Sequence, residues 1–270
     1  MQDLGKPIAI GRTSEIFSWD NNKVLKLGYP LEPSDWIVEE FNIGKLIFDL
    51  GLPIPKIYER VRINGREGIV FEKVEGPSLE AELCRKPWNV KRYAQILAEL
   101  HARVHKMPAP VQLGSQRDWI KEEIITENRF LTNELRHKVV ALLGTLPDES
   151  MLCHGDFHPG NIVMTQNEPV IIDWMTASKG STVGDVARTS VLLKVGKSSV
   201  GSVAQRLLDI IGNIFHSTYL KAYVQLRPEQ QPQFRIWQIA MAASILGVSI
   251  PEERKGLLNI IYAGVKEYGS

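Results

Sequence analysis

The chain has 270 residues, room for one large domain or two modest ones, and an apolar fraction of 44% is enough to bury a sizeable core. A formal net charge of +1 argues against a generic electrostatic nucleic-acid binder, while remaining compatible with a local basic cleft. Cys84 and Cys153 lie far apart and make no metal-type pair, which fits a reducing, cytoplasmic setting. The first residues lack an apolar signal core, and the apolar run 236–250, interrupted by Gln238, Ser244 and Ser249, is too short to span a bilayer.

The first quarter reads as β-rich. Residues 7–11 and 15–19 are strand candidates, Asp20-Asn21-Asn22 signals a hairpin, and 23–27 follows as a third strand. Ser34 and Asp35 offer an N-cap to a helix whose buried face is Trp36, Val38, Phe41, Ile43, Leu46, Ile47 and Leu50. Gly51 ends it, and Pro53 and Pro55 prevent its continuation. Strands follow near 56–60 and 68–72, completing a compact α+β unit.

After Glu75-Gly76-Pro77 the pattern changes to helical. Tyr93, Leu97, Leu100 and Val104 mark a helix over 90–104, and further helices are predicted at 119–127 and 132–143. A short β-rich insert covers 151–173. Helices resume at 185–195, 203–223, 234–246 and 251–268. The predicted architecture is an α+β chain of two lobes, β-rich over 1–73 and mainly helical over 74–270, with ligands expected in a cleft between them.

The insert carries the most informative stretch, His154-Gly155-Asp156-Phe157-His158-Pro159-Gly160-Asn161, followed by the apolar run Val170-Ile171-Ile172 that ends in Asp173. The offset from His154 through Asp156 to Asn161 matches the kinase catalytic loop H-x-D-x-x-x-x-N. There the Asp accepts the proton of a substrate hydroxyl, the Asn holds magnesium, and a second metal-binding Asp ends a following strand. Alone, Asp156 reads equally as a turn cap, and Asn161 and Asp173 as polar loop residues. Together at these offsets they point to phosphoryl transfer, with oxygen donors suited to a hard cation. A Cys153-His154-His158 zinc site fits no common spacing. His158 reads as a turn residue or as a group near the phosphates.

On these residues the chain resembles the aminoglycoside phosphotransferase and choline kinase-like enzymes, which share the protein-kinase fold. Leu52-Pro53-Ile54-Pro55, Val74-Glu75-Gly76 and Gly184-Asp185-Val186-Ala187-Arg188 support the likeness, which runs from about residue 8 to 195. The resemblance implies ATP or GTP as phosphate donor and Mg²⁺ at Asn161 and Asp173. It makes Lys26 the phosphate anchor and Glu40 its helix-borne partner, with Glu39 the adjacent alternative and Lys23 a solvated competitor for Lys26. The loop Gly11-Arg12-Thr13-Ser14 departs from G-x-G-x-x-G; Ser14 or nearby backbone N–H groups would meet phosphate. The backbone around Glu72 and Val74 would meet the nucleotide base. His154 and Asp185 would support the catalytic loop, and Arg188 would pair with a neighbouring carboxylate.

Protein kinases place Arg before the catalytic Asp; here the residue is Gly155. Asp173 also leads to Gly184-Asp185 with no A-P-E motif between them. Both departures favour a small hydroxylated acceptor: an aminoglycoside-like antibiotic, an amino alcohol or a sugar. A polycationic acceptor would want acidic groups, for which Glu122, Glu123, Glu127, Glu252, Glu253 and Glu267 are candidates, each equally readable as a solvated helix face. Two alternatives stay open, a catalytically silent nucleotide-binding scaffold and a protein kinase. No nucleic-acid or membrane partner is expected.

Overall fold

The computed structural model describes residues 4–11, 13–20, 22–30, 35–195, 203–228 and 233–268. Arg12, Asn21 and the Ser34 cap lie outside them, as do the side chains of Asp35 and Glu127. The chain forms two compact units, Met1–Leu79 with Gly160–Thr176, and Glu80–Pro159 with Ala177–Ser270.

The first unit is built on an antiparallel sheet of order β1-β2-β3-β5-β4, from β1 (Ala9–Ile10), β2 (Ser14–Asp20), β3 (Lys23–Gly28), β4 (Ile57–Ile63) and β5 (Arg66–Glu72). Strand β3 runs between β2 and β5, pairing Lys26 with Ile16 on one side and Ile69 on the other. Alternation sends Leu25 and Leu27 into a core with Phe17, Ile63 and Val70, and Lys26 to the opposite face. Helix α1 (Asp35–Phe48) packs against β4 and β5 and stops before Gly51, whose φ of 72° suits glycine.

The strand signals at 56–60 and 68–72 are shorter than the strands observed. Ile63 pairs with Arg66 across Asn64-Gly65, whose φ values of 52° and 83° make a tight hairpin turn that lets both strands run on to it.

The second piece of this unit is a ribbon of β7 (Ile162–Val163) and β8 (Val170–Ile171), with Ile162 opposite Ile171. It is tied to the segment after β5: Met164 N–H donates to Pro77 O at 2.8 Å, and Ser78 bridges to Val163. Gly76 permits this approach. Its φ is 149°, and a Cβ there would sit 2.1 Å from Met164 O.

The second unit is mainly helical: α2 (Leu79–Arg85), α3 (Val90–Val104), α4 (Gln116–Glu122), α5 (Asn133–Gly144), α6 (Thr182–Val195), α7 (Val203–Leu226), α8 (Phe234–Val248) and α9 (Pro251–Tyr268). Ser115 caps α4 by accepting from Asp118 N–H, and Thr132 caps α5 by accepting from Leu135 N–H. A single π-helical turn, Glu123–Glu127, extends α4. Helix α8 is buried from Trp237 to Leu246 and packs on α6 and α9, which explains its apolar composition. Helix α6 starts at Thr182 rather than 185. Gly184 fits in its first turn because a Cβ there would meet the Trp237 ring at 2.9 Å. Strand β6 (Met151–Cys153) pairs with β9 (Ser178–Gly180), a strand with no sequence signal. No helix among the described residues is long and apolar enough to cross a membrane.

Gly76→Ala is expected to destabilise the protein by roughly 2 kcal/mol or more, because strained backbone and a backbone clash act together. Urea unfolding measures it, and an unchanged midpoint would mean that the contact with Met164 does not constrain the chain.

Candidate active site

In the first unit three sequence-selected residues converge. Lys26 Nζ donates to Glu40 Oε1 at 2.6 Å and to Asp173 Oδ1 at 3.1 Å. Glu40 is buried while Glu39 is exposed, so the helix register of α1 aims Glu40 at the lysine. The Trp36 ring lies 5.8 Å below the ammonium group. Burial disfavours the Lys26 charge, but Glu40 and Asp173 outweigh it and hold the lysine above its ordinary pKa. Among the described residues Glu40 Oε2 has no hydrogen-bond partner, and burial raises the Glu40 pKa against the lowering effect of Lys26.

Asp173 has a φ of 63°, uncommon for a residue other than glycine. Ile172 N–H donates to Asn161 O at 3.0 Å, so Asn161 and Asp173 flank the same end of the β7–β8 ribbon. Ser14 is buried at the start of β2, where its carbonyl accepts from Gly11 N–H at 2.8 Å. Glu72 ends β5 and accepts from Lys56 N–H at 3.1 Å, with half-buried Val74 just beyond it. Lys23 sits at the turn, 3.9 Å from Asp20.

The second unit holds Asp156 and its supports. Asp156 is about a third exposed, 3.5 Å from His158 Nε2. Burial alone would raise its pKa. The His158 hydrogen bond and the charges of His158, Arg188 and His154 overcome that and bring it down to about 2. His154 is buried, and its Nδ1 accepts from Asp156 N–H at 3.2 Å. Asp185 accepts the backbone N–H groups of His154 at 2.6 Å and Gly155 at 2.9 Å, so this fully buried carboxylate grips the loop just before Asp156. Gly155 has a φ of 80°, a conformation glycine adopts without strain.

Asp185 also takes two side-chain donors that sequence reasoning misses. His101 Nε2 and His105 Nε2 reach Asp185 Oδ2 at 3.1 and 3.2 Å, and each Nδ1 faces a tyrosine hydroxyl at 2.7 Å, Tyr219 and Tyr223 respectively. An ionised carboxylate only accepts, so both Nε2 atoms carry the proton and both Nδ1 atoms accept from tyrosine. Burial keeps the rings neutral: it takes His101 down to about 3 and lowers His105. Phe157 stacks on His101 with ring centroids 4.0 Å apart. The available signal is the i, i+4 pairing of His101 with His105 on α3 and of Tyr219 with Tyr223 on α7, which places each pair on one helix face. Although His101, His105 and Asp185 are metal-type ligands, N–H···O bonds already join them.

One detail differs from the sequence reading. Arg188 has no carboxylate partner among the described residues; its Nη1 donates to Ser244 Oγ at 3.4 Å, and its guanidinium lies 4.8 Å from the Trp119 ring centre. Of the acidic candidates, Glu267 meets Arg235, Glu253 accepts from Ile250 N–H, and Glu123 accepts from the Ser244 hydroxyl, while Glu122 and Glu252 are exposed.

The profile of the phosphotransferase enzyme family matches residues 6–223. The chain is 27% identical over 178 residues to acyl-CoA dehydrogenase family member 11 of Rattus norvegicus, covering 57% of this chain and 23% of that protein. The Homo sapiens protein is 26% identical over 186 residues, covering 61% and 24%. The chain therefore spans about a quarter of the length of these relatives. Among solved structures, an apo thermostable mutant of aminoglycoside phosphotransferase APH(4)-Ia matches with a TM-score of 0.67 at 15% identity, covering 100% of this chain and 96% of that one. Amicoumacin kinase hAmiN, in complex with AMP-PNP, Ca²⁺ and Ami, gives 0.65 at 17% identity, covering 97% and 88%. A choline/ethanolamine kinase family protein from Mesorhizobium loti gives 0.59 at 14%, covering 94% and 85%. At these identities the neighbours establish the fold, which is α+β and protein-kinase-like.

Neutral, buried His101 and His105 have folded pKa values below the ordinary 6.5, so the unfolded chain binds more protons between the two values. The stability they contribute is present above 6.5 and is lost as pH falls below it, for His101 down to about 3. Unfolding free energy should therefore drop by roughly 1.4 kcal/mol per pH unit for His101 over that window, with His105 adding a loss of the same sign as pH falls below 6.5. The slope should be shallower in His105→Gln. Denaturant titrations from pH 7 to 4 decide it, and identical slopes would mean that His105 is not held neutral.

Proposed function

The chain belongs to the phosphotransferase enzyme family, and from that premise we propose that it is a kinase of small hydroxylated molecules, with a nucleoside triphosphate as phosphate donor. The observation that carries the reading is the Lys26 ammonium group, held by buried Glu40 on one side and by partly exposed Asp173 on the other. A lysine so restrained presents a fixed positive charge where solvent screening is weak, which is what polyphosphate binding requires. ATP is the favoured donor, since the fold neighbour hAmiN was solved with AMP-PNP. The backbone at Glu72 and Val74 would meet the base, and Ser14 the phosphates.

Asn161 and Asp173 fit a magnesium ion. Both offer oxygen, and the Ile172–Asn161 bond holds them at one end of the same ribbon. When bound, the ion would offset the charge of the phosphate oxygens.

Asp156 is the proposed base. The acceptor oxygen bonds to the terminal phosphorus, the bond to the leaving nucleoside diphosphate breaks, and the hydroxyl proton passes to Asp156. A carboxyl with its pKa down at about 2 is a weak base. That suits a loose transition state, in which the carboxylate mainly orients the hydroxyl and takes its proton late. Gly155 leaves no cation before Asp156 to read a phosphorylated loop, which supports a small-molecule acceptor, as do the amicoumacin and aminoglycoside enzymes that share the fold.

Asp156→Ala is expected to lower turnover by roughly 10²-fold or more while nucleotide affinity stays nearly intact. Unchanged turnover, followed as acceptor-dependent ADP release, would remove Asp156 from the chemistry.

Lys26→Ala should raise KM for ATP and lower kcat, and Glu40→Ala should show a weaker form of the same defect. The double variant should fall well short of additivity, because both changes disable one unit. Additive losses in a double-mutant cycle would mean that the Lys26–Glu40 bond has no part in nucleotide use.

A further inference from the structure

Among the described residues, Arg188 is a buried cation with no carboxylate in ion-pair contact. It is 8% exposed, on α6, one turn beyond Asp185. Its hydrogen bond to the Ser244 hydroxyl is long, at 3.4 Å, and its Nε has no hydrogen-bond partner among the described residues. Other arginines whose Nε is buried compare differently, and Arg117 Nε lies 3.0 Å from Asp148 Oδ1. Arg117 donates to the carbonyls of Leu143, Leu146 and Pro147, Arg136 to those of Ile125 and Asn128, and Arg254 to that of Ser249. Those guanidinium groups hold the fold together through backbone oxygens. Arg188 has a neutral hydroxyl and an aromatic face, and Ser244 stands between it and the Glu123 carboxylate. Leaving a guanidinium buried without an anion is costly, since burial removes hydration and nothing of opposite charge replaces it.

The position of this cation gives the missing anion a role. The carboxylate of Asp185, one turn earlier on the same helix, holds the backbone of His154 and Gly155, and Asp156 is the next residue. The charge of Arg188 reaches Asp156 and helps to depress its pKa. We propose that Arg188 is an acceptor-binding residue, and that the acceptor carries a carboxylate or phosphate group close to the hydroxyl it presents to Asp156. The inference rests on the kinase reading of Asp156 and narrows its acceptor class. A planar guanidinium is suited to a carboxylate or phosphate through paired N–H donors, one of which is the free Nε–H. The same charge beside the base disfavours a polycationic acceptor. The acidic candidates add little on the other side of that balance, since Glu253, Glu267 and Glu123 are engaged in local bonds and Glu122 and Glu252 are exposed.

The test reads Arg188 directly. In the ¹⁵N-labelled full chain, the arginine Nε–H resonance that disappears in Arg188→Lys belongs to this residue. If that variant does not fold, Ser244→Ala identifies the resonance by its displacement. Acetate and inorganic phosphate are then titrated separately against sodium chloride of matched ionic strength, with choline chloride as the cationic control. The expected result is a saturable shift with acetate, phosphate or both, with an apparent Kd in roughly the millimolar range, and no shift with either chloride salt. A response to acetate alone assigns a carboxylate-bearing acceptor, and a response to phosphate alone assigns a phosphate-bearing one. A resonance indifferent to both anions overturns the proposal and leaves Arg188 a structural cation that serves Glu123 through Ser244. The kinase reading is scored separately: if Asp156→Ala turns over nucleotide like the unaltered chain, that reading falls, whereas an anion-dependent shift at Arg188 still stands as an anion site.

Discussion

The Asp185 carboxylate is fully buried, and an isolated buried carboxylate would be expelled or protonated. It persists as an anion because the backbone N–H groups of His154 and Gly155 and the Nε2–H groups of His101 and His105 all converge on it. Much of the second unit depends on this one interaction. It joins α3 to α6, and through the Tyr219 and Tyr223 hydroxyls it extends to α7. It also determines where the backbone before Asp156 lies. The network is costly to disturb, because removing a donor weakens the compensation of a fully buried charge.

The first unit handles buried charge in the opposite sense. Lys26 is the central ion, and Glu40 and Asp173 are the groups that retain it. Asp173 reaches the lysine from a backbone conformation few residues adopt, and the neighbouring bond from Ile172 to Asn161 restrains that segment. Gly76 makes the related contribution on the other side of the ribbon, since only a residue without a Cβ lets the chain pass so close to Met164. Arg188 stands apart from both arrangements: it is buried like Lys26 but among the described residues has no carboxylate in ion-pair contact.

Sequence patterning accounts for the long elements well and for the short ones poorly. The 3.6-residue periodicity of 90–104 and 251–268 corresponds to α3 and α9, because an amphipathic face repeats several times over such lengths. The start of α6 is misplaced because Gly184 weakens the helical signal, although packing against Trp237 is the reason a glycine stands there. Helix α2 and strand β9 are too short to show a period. The hairpin at Asn64-Gly65 was legible in principle, since that pair suits the turn, yet both strands leading to it were read short.

The sequence by itself indicated the family to which the chain belongs. His154, Asp156, Asn161 and Asp173 are close in the chain, and their offsets carry the phosphotransferase signature without any coordinates. It also determined the order of a β-rich part before a helical one. The tertiary structure decided the partnerships between residues distant in sequence. It selected Glu40 over Glu39, joined His101 and His105 to Asp185 and to two tyrosines on α7, and gave Arg188 a hydroxyl in place of a carboxylate. The physical reason is that local offsets are written in the covalent chain, whereas burial, helix register and the pairing of ions depend on which faces meet after the chain has packed.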